Sequence, residues 1–300
     1  MRIGTFSVAA AATLEELTAE VQAAAAAGLD SAFFGQTTAW DAITVAAIAG
    51  RAAPGIETGT AITTTYPRHP IALASQAVTA QALTGGRFTL GIGPSHRSIV
   101  QDAFGYSYDR PARHTEEYLT ALRPLLRGEE VDFHGETLTA VGQVDAPGAT
   151  PPSVLISALG PVMLRIAGEL ADGTVTTWVT AQGVAEHIVP GLTKAAEAAG
   201  RPAPRVAVGT VMALTGDPDG ARERLAEQLG FAGEFPGYRA MLDRQGLSGV
   251  HETIIAGDEA EIERAVRRFA AAGATDLLVS ALGDDAERAR TIELLGALRG

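Results

Sequence analysis

The sequence contains no cysteine. That removes a disulfide frame, a thiol nucleophile, thiolate-ligated zinc and any iron–sulfur cluster. It holds one lysine, Lys194, against 22 arginines. Schiff-base chemistry needs a lysine amine. Lys194 lies in Leu192-Thr193-Lys194-Ala195-Ala196-Glu197, which reads as the outer face of a helix. No glycine precedes it as a P-loop requires. Aromatics are scarce, with 9 Phe, 5 Tyr and 2 Trp making 5% of the chain, so the core must rest on Ala, Leu, Ile and Val. Positive charge is also short: 23 basic against 35 acidic residues leaves a net charge of −12. An acidic chain without a basic patch is a poor partner for nucleic acid or an anionic membrane. No apolar run is long enough to span a bilayer. The Ala9–Ala12 stretch is short and lacks the surroundings of a signal peptide, so a cytoplasmic location is expected.

The 300 residues are 46% hydrophobic and 19% charged, which suits a globular protein with a large core. One unit recurs: an amphipathic helix, a glycine, then a short apolar strand. In the first helix, Thr13 and Glu16 have capping-box spacing. Leu14, Leu17 and Val21 share a face, and Gly28 suits the residue after the helix end. Similar junctions stand at Pro54-Gly55-Ile56, Gly85-Gly86-Arg87, Asp172-Gly173-Thr174, Gly200-Arg201-Pro202 and Gly273-Ala274-Thr275. The strands predicted are 2–8, 30–35, 56–61, 87–92, 153–157, 174–178, 205–211 and 275–280. Eight strands alternating with helices predict a (β/α)8 TIM barrel, spanning residues 1–300 as one domain. A doubly wound sheet is the competing architecture, but its dinucleotide fingerprint is absent: Gly91-Ile92-Gly93 continues Pro94-Ser95-His96. Two insertions stand out. The connection after strand 4 holds a loop (94–111), a helix (112–127) and a turn-rich stretch (128–152). The excursion after strand 7 (231–250) carries Phe231, Phe235 and Tyr238, as a lid or pocket wall would.

In such a barrel, chemistry belongs to the loops at the C-terminal strand ends. After strand 2, Gly35 is followed by Gln36, which either faces a ligand or bonds nearby backbone. After strand 3, Ala61-Ile62-Thr63-Thr64-Thr65 overruns the expected strand end, as a bulge would. His69 then precedes a helix with Leu73, Ala77 and Ala80 inward, where capping or packing is its expected role. After strand 4, Gly93-Pro94-Ser95 lets backbone approach a ligand, and His96 and Arg97 offer a titratable group and an anion partner. After strand 5, Ala158-Leu159-Gly160-Pro161 opens a helix whose free amides would hold an anion. Trp178 ends strand 6 and either walls the same pocket or packs. The six histidines (69, 96, 114, 134, 187, 251) show no metal-binding spacing, and no metal is expected. No nucleophile elbow appears. With so little side-chain chemistry, a bound cofactor is expected to carry the reaction.

These segments resemble the luciferase-like monooxygenase superfamily, in particular its branch using the deazaflavin coenzyme F420. The resemblance runs from Met1-Arg2-Ile3-Gly4 to Ala272-Gly273-Ala274-Thr275-Asp276. Its strongest pieces are Tyr66-Pro67-Arg68-His69-Pro70, Gly85-Gly86-Arg87-Phe88-Thr89-Leu90-Gly91-Ile92-Gly93 and Ala158-Leu159-Gly160-Pro161, with Glu169-Leu170-Ala171-Asp172-Gly173 added to them. It implies a (β/α)8 barrel with the deazaflavin at its C-terminal mouth and a non-prolyl cis peptide behind the ring, matching Ala61–Ile62 here. It further implies that Gly35, Gln36, Thr63 and Gly93, Pro94, Ser95 and His96 line the ring system, with phosphate contacts near Gly160 and Pro161. In the sugar-phosphate dehydrogenase branch, a His follows strand 2 and a Glu lies in the strand 4 loop. Here those positions hold Gln36 and His96, and the lysine anchors of that branch are missing.

The expectation is therefore hydride transfer between coenzyme F420 and a small organic substrate such as an imine, ketone, alcohol or enone. His96 would be the proton donor or acceptor, and Gln36 would hydrogen-bond the ring or substrate. The alternatives are an FMN-dependent monooxygenase of the same superfamily, a barrel isomerase or lyase using the Gly160 anion site, and a cofactor-binding protein without turnover. A homodimer is expected, since dimers are common in this superfamily and Ala-rich helices pack closely.

Overall fold

The computed structural model describes residues 1–8 and 12–299. Three of the four residues of the Ala9–Ala12 stretch lie outside the described residues. Eight parallel strands close on themselves. They are β1 (Arg2–Val8), β2 (Ser31–Gly35), β3 (Glu57–Thr60), β4 (Phe88–Gly93), β5 (Ser153–Ser157), β6 (Gly173–Thr177), β7 (Arg205–Leu214) and β8 (Asp276–Ala281). Each pairs with the next, and β8 returns to β1 with Arg2 opposite Asp276. This closure is a TIM barrel, as the strand pattern predicts, and it excludes the open doubly wound sheet.

Alternation along the strands decides what fills the barrel. Phe33, Leu155, Val175, Ala207 and Leu278 form one interior cluster, capped by Phe6, Ala61 and Ile62. The residues between them, such as Phe34, Ile92, Ile156, Val208 and Leu277, pack outward against the helices. Below the interior cluster lies a polar floor. Arg205 pairs with Asp276 at 2.7 Å and Glu57 at 3.2 Å, Arg2 pairs with Glu57 at 2.6 Å, and Thr89 donates to Glu57 at 2.6 Å. Asp276 is only 1% exposed, and Arg205 closes over it. Glycine makes the room. A Cβ on Gly91 would lie 1.9 Å from the Thr60 carbonyl oxygen, and one on Gly59 would lie 2.6 Å from the Phe33 ring.

The helices obey their local signals. Leu14–Ala26 starts at a Thr13–Glu16 capping box, and Gly28 beyond its end has φ of +84°. Lys194 is exposed on Val189–Ala198. His69 does cap Pro70–Leu83: its Nδ1 accepts from the Ile71 amide at 3.3 Å, and its Nε2 lies 2.7 Å from the Thr139 carbonyl. Leu73, Ala77 and Ala80 of that helix are buried. No described helix is long and apolar enough to cross a membrane.

Both insertions carry more structure than the sequence suggests. The stretch 128–152 holds an antiparallel hairpin, Val131–His134 with Thr139–Gly142. Its turn is tied to the helix Pro111–Leu126 by Glu117, which accepts from the Glu136 and Thr137 amides and the Thr137 hydroxyl at 2.7–2.9 Å. Burial pushes the Glu117 carboxyl up, but these donors and Arg113 outweigh it and hold it down at about 2. The excursion after β7 contains the helix Pro236–Arg244, and a short strand, Ile255–Gly257, pairs with the end of β7.

Candidate active site at the barrel mouth

The inward positions at the C-terminal ends of β2, β4 and β5 are small: Gly35, Gly93 and Ser157. A Cβ on Gly93 would meet the Ser157 hydroxyl at 2.2 Å and Ile62 at 3.3 Å. A Cβ on Gly35 would meet the Phe6 ring at 3.3 Å. Between them the chain past β3 makes the Ala61–Ile62 peptide bond cis. The Gln36 amide donates to the Ile62 carbonyl at 3.0 Å, and the Ala61 amide to the Phe34 carbonyl at 2.8 Å. Thr63 and Thr64 then rejoin β4 opposite Ile92 and Gly93. Thr63 thus shares a sheet face with outward-packed Ile92, and its buried hydroxyl finds no partner among the described residues. The expectation that Thr63 faces the ring is corrected at its side chain. Thr64 instead shares the face of Gly93, because the bulge shifts the alternation by one.

The Gln36 side chain is fully engaged within the chain. Its Nε2 donates to the Thr37 and Trp40 carbonyls at 2.6 and 3.2 Å. Its Oε1 accepts from the Ala42 amide at 3.0 Å and from Arg68 at 3.2 Å. Arg68 also pairs with Asp41 at 2.5 Å and reaches the Thr64 hydroxyl at 3.4 Å. A hydrogen bond from Gln36 to ring or substrate is therefore replaced by a bracing role between the β2 and β3 loops. The sequence motif Tyr66-Pro67-Arg68 flags this region, but nothing in it names Arg68 as the brace.

After β4, Gly93 and Pro94 are buried and Ser95 takes φ of +62°. The Tyr108 hydroxyl donates to the Ser95 carbonyl at 2.7 Å and fixes that turn. His96 is half-buried and stacks on Phe235 of the second insertion, with centroids 3.8 Å apart and planes 8° apart. Tyr238 stands edge-on to it at 5.2 Å. The two insertions thus meet at His96. Burial lowers the pKa of His96, so its imidazole is neutral near pH 7. Its ring nitrogens have no hydrogen-bond partner among the described residues. Arg97 turns away from the mouth, donating to the Tyr108 carbonyl at 3.2 Å and to Gln101.

On the opposite rim, Ala158 is buried and Gly160 caps the helix Pro161–Leu170 without any side-chain acceptor. Pro161 has no amide hydrogen, so the Val162 and Met163 amides are open. A Cβ on Gly160 would meet nothing within 4 Å. Trp178 follows β6 with φ of +58°, and it packs on a cluster of the second insertion (Ala232, Leu242, Val250) and on a second one around Ala213 and Leu225. Gln245 clamps that insertion to the same loop: its Oε1 accepts from the Thr180 amide at 2.7 Å, and its Nε2 donates to the Trp178 carbonyl at 3.2 Å. No group of three or more potential metal ligands forms among the described residues.

The family model for luciferase-like monooxygenases matches residues 1–295. The chain belongs to this family. Among its relatives, a 5,10-methylenetetrahydromethanopterin reductase of Methanolobus tindarius is 31% identical over 203 residues, which are 67% of this chain and 62% of that one. The match thus spans less than two thirds of that relative's length. Two solved structures share the fold. An F420-dependent secondary alcohol dehydrogenase in complex with an F420–acetone adduct superposes with a TM-score of 0.83 at 18% identity, covering 99% of this chain and 97% of that one. The oxygenating constituent of a diketocamphane monooxygenase from Pseudomonas putida, in complex with FMN, reaches 0.77 at 16% identity, covering 99% and 97%. Gly35, Ala61, Ile62, Gly93, Pro94, Ser95 and His96 thus gather on one rim of the mouth, and Ala158, Leu159, Gly160 and Pro161 on the other.

Proposed function

We propose that this protein is an F420-dependent oxidoreductase, moving a hydride between the deazaflavin and a small organic substrate such as an imine, ketone, alcohol or enone. The observation that carries the reading is the mouth itself. Gly35, Gly93 and Ser157 keep the floor beside Ala61–Ile62 close-packed with no side chain larger than a hydroxyl at these three inward positions, and an uncapped helix N-terminus stands on the opposite rim. Helix N-termini of this kind favour phosphate. Backbone amides suit a chain with net charge −12, which must hold an anionic cofactor by local groups. The relative at 31% identity is a reductase, which favours hydride transfer over oxygenation; the FMN-containing neighbour keeps the FMN monooxygenase as the second reading.

Gly35, Ala61, Ile62, Gly93, Pro94 and Ser95 would hold the ring, with Thr64 and the Thr63 backbone at its edge, and Trp178 as a wall. The Val162 and Met163 amides behind Gly160 would hold phosphate. The chemistry supplied there would be donation or acceptance of a hydride at the deazaflavin C5 carbon. The chain's own residues orient and exclude water. His96, neutral and with free ring nitrogens, donates a hydrogen bond to a substrate oxygen or nitrogen or accepts one from it. Gln36, braced by Arg68, holds the β2 loop against Ile62. The His96–Phe235 stack closes the mouth from above.

We also infer a homodimer. Helices Ala42–Ala52 and Pro70–Leu83 lie side by side, and their exposed faces (Thr44, Ile48, Ser75, Thr79, Leu83) carry almost no charge, Arg51 being the exception.

The test is titration of the full chain, freed of cofactor, with the deazaflavin and separately with FMN. Micromolar affinity for the deazaflavin and at least about tenfold weaker binding of FMN is the expected result. The reverse order, with oxygen consumption on adding reduced FMN, sinks the hydride reading.

A further inference from the structure

Beside the mouth, outboard of the β3 and β4 loops, lies a cavity of about 620 Å³ whose walls include Tyr66, Tyr106, His114 and Tyr118. The concentration of rings is out of proportion to the chain. Tyrosine occurs five times in 300 residues. Three of the five line this cavity, and Tyr108, which lies 5.5 Å from Tyr66, stands directly behind it. Tyr66 stacks on His114 with centroids 4.0 Å apart and faces Tyr106 at 6.4 Å with a 37° tilt. Tyr66 directly follows the Thr63–Thr65 bulge, so the cavity adjoins the mouth.

The arginines of the lining are already matched. Arg68 pairs with Asp41 and Arg110 with Glu136, while Asp109 accepts from the Ser107 hydroxyl. The amide and hydroxyl of Thr137 go to Glu117, and the Tyr118 hydroxyl to the Arg68 carbonyl. His69 uses both ring nitrogens as a cap. His114 is neutral at pH 7, since burial pulls it down to about 4. What remains unpartnered among the described residues includes the hydroxyls of Tyr66 and Tyr106, and His114 covers only one face of the Tyr66 ring. A volume of this size suits a bicyclic group, and aromatic faces prefer offset or tilted stacking.

We propose that this cavity is a subsite for a planar, uncharged aromatic portion of the substrate, stacked on Tyr66 and Tyr106 and hydrogen-bonded at its edge by their phenols. This names the substrate class for the redox reading above and rests on it: the reacting carbon lies at the mouth while the aromatic group lies in the cavity. The paired arginines of the lining give no gain to an anionic ligand, and a saturated ring forfeits the stacking.

The experiment is calorimetric titration of the full chain, with and without deazaflavin, using 2-naphthamide as probe beside anionic 2-naphthoate and saturated cyclohexanecarboxamide. The neutral aromatic amide is expected to bind at least about tenfold more tightly than either comparator, and Tyr66→Ala and Tyr106→Ala each to weaken it about tenfold. Tyr66→Phe, which keeps the ring, is expected to hold affinity within about threefold. Tyr106 is 48% exposed, so its variant tests the site even where Tyr66→Ala fails to fold. Deazaflavin affinity should be unchanged in both alanine variants. Equal binding of the three probes, or binding unaltered in folded Tyr66→Ala or Tyr106→Ala, overturns the subsite. Loss of deazaflavin binding with 2-naphthamide binding intact falls on the redox reading alone. A second copy of the chain covering the cavity appears as absence of probe binding, and overturns the proposal too.

Discussion

His114 shows how one residue couples the site region to pH. It is 7% exposed, stacked on Tyr66, with Nε2 3.0 Å from the Thr65 hydroxyl. Burial lowers its pKa to about 4, against a partial lift from Glu117. The unfolded chain therefore binds this proton more readily than the native one. The stabilisation is fully present above about pH 6.5 and is lost as pH falls toward 4, a change of about 2–3 kcal/mol. Urea unfolding at pH 7.5, 5.5 and 4.5 checks this: the wild type should lose that stability, and His114→Phe should flatten that part of the slope. The same residue marks the limit of reading by sequence. His69 was legible as a cap because it stands directly before Pro70 and a helix. His114 lies inside a helix and gains its meaning from Tyr66, 48 residues earlier, so spacing carries no trace of it. Thr63 and Thr64 were separable only once the bulge fixed which of them faces Gly93.

Among the elements, the eight strands were legible because all but β1 follow a glycine or proline junction and several, such as β8, are apolar on both faces, as suits a buried parallel strand. The hairpin 131–142 was not. Its strands are four residues long and mostly exposed, and the Glu117 anchor that holds its turn sits in a different element. The strand Ile255–Gly257 is three residues long and exists through pairing with the end of β7. The lid was legible as an aromatic insertion but not as a tethered one. Its tie to the barrel is Gln245, which bridges the Thr180 amide and the Trp178 carbonyl. Gln245→Ala leaves these groups without their side-chain partner, at a cost of about 1–3 kcal/mol. Hydrogen exchange should show faster exchange in Pro236–Arg244 with the barrel strands unchanged; uniform protection would show that Gln245 is no tether.

For the whole molecule, the shortage of reactive side chains and the closed barrel lead to one architecture: a scaffold whose mouth presents backbone and rings, where the proposed cofactor would supply the electrons. The uncharged face on helices Ala42–Ala52 and Pro70–Leu83 gives the expected dimer a contact. Ile48 is 45% exposed and Leu83 44%. Light scattering should give twice the chain mass of 30.9 kDa, falling to one for Ile48→Asp combined with Leu83→Asp; a wild-type monomer would contradict the dimer. The central claim, that the mouth holds a deazaflavin for hydride transfer, is tested most directly by the crystal structure of the full chain grown with the deazaflavin. The expected result is ring density over Ala61–Ile62 and Gly93, phosphate at the amides behind Gly160, and His96 facing the open side of the ring. A mouth left empty at saturating deazaflavin, or the cofactor bound away from Ala61–Ile62, would contradict it.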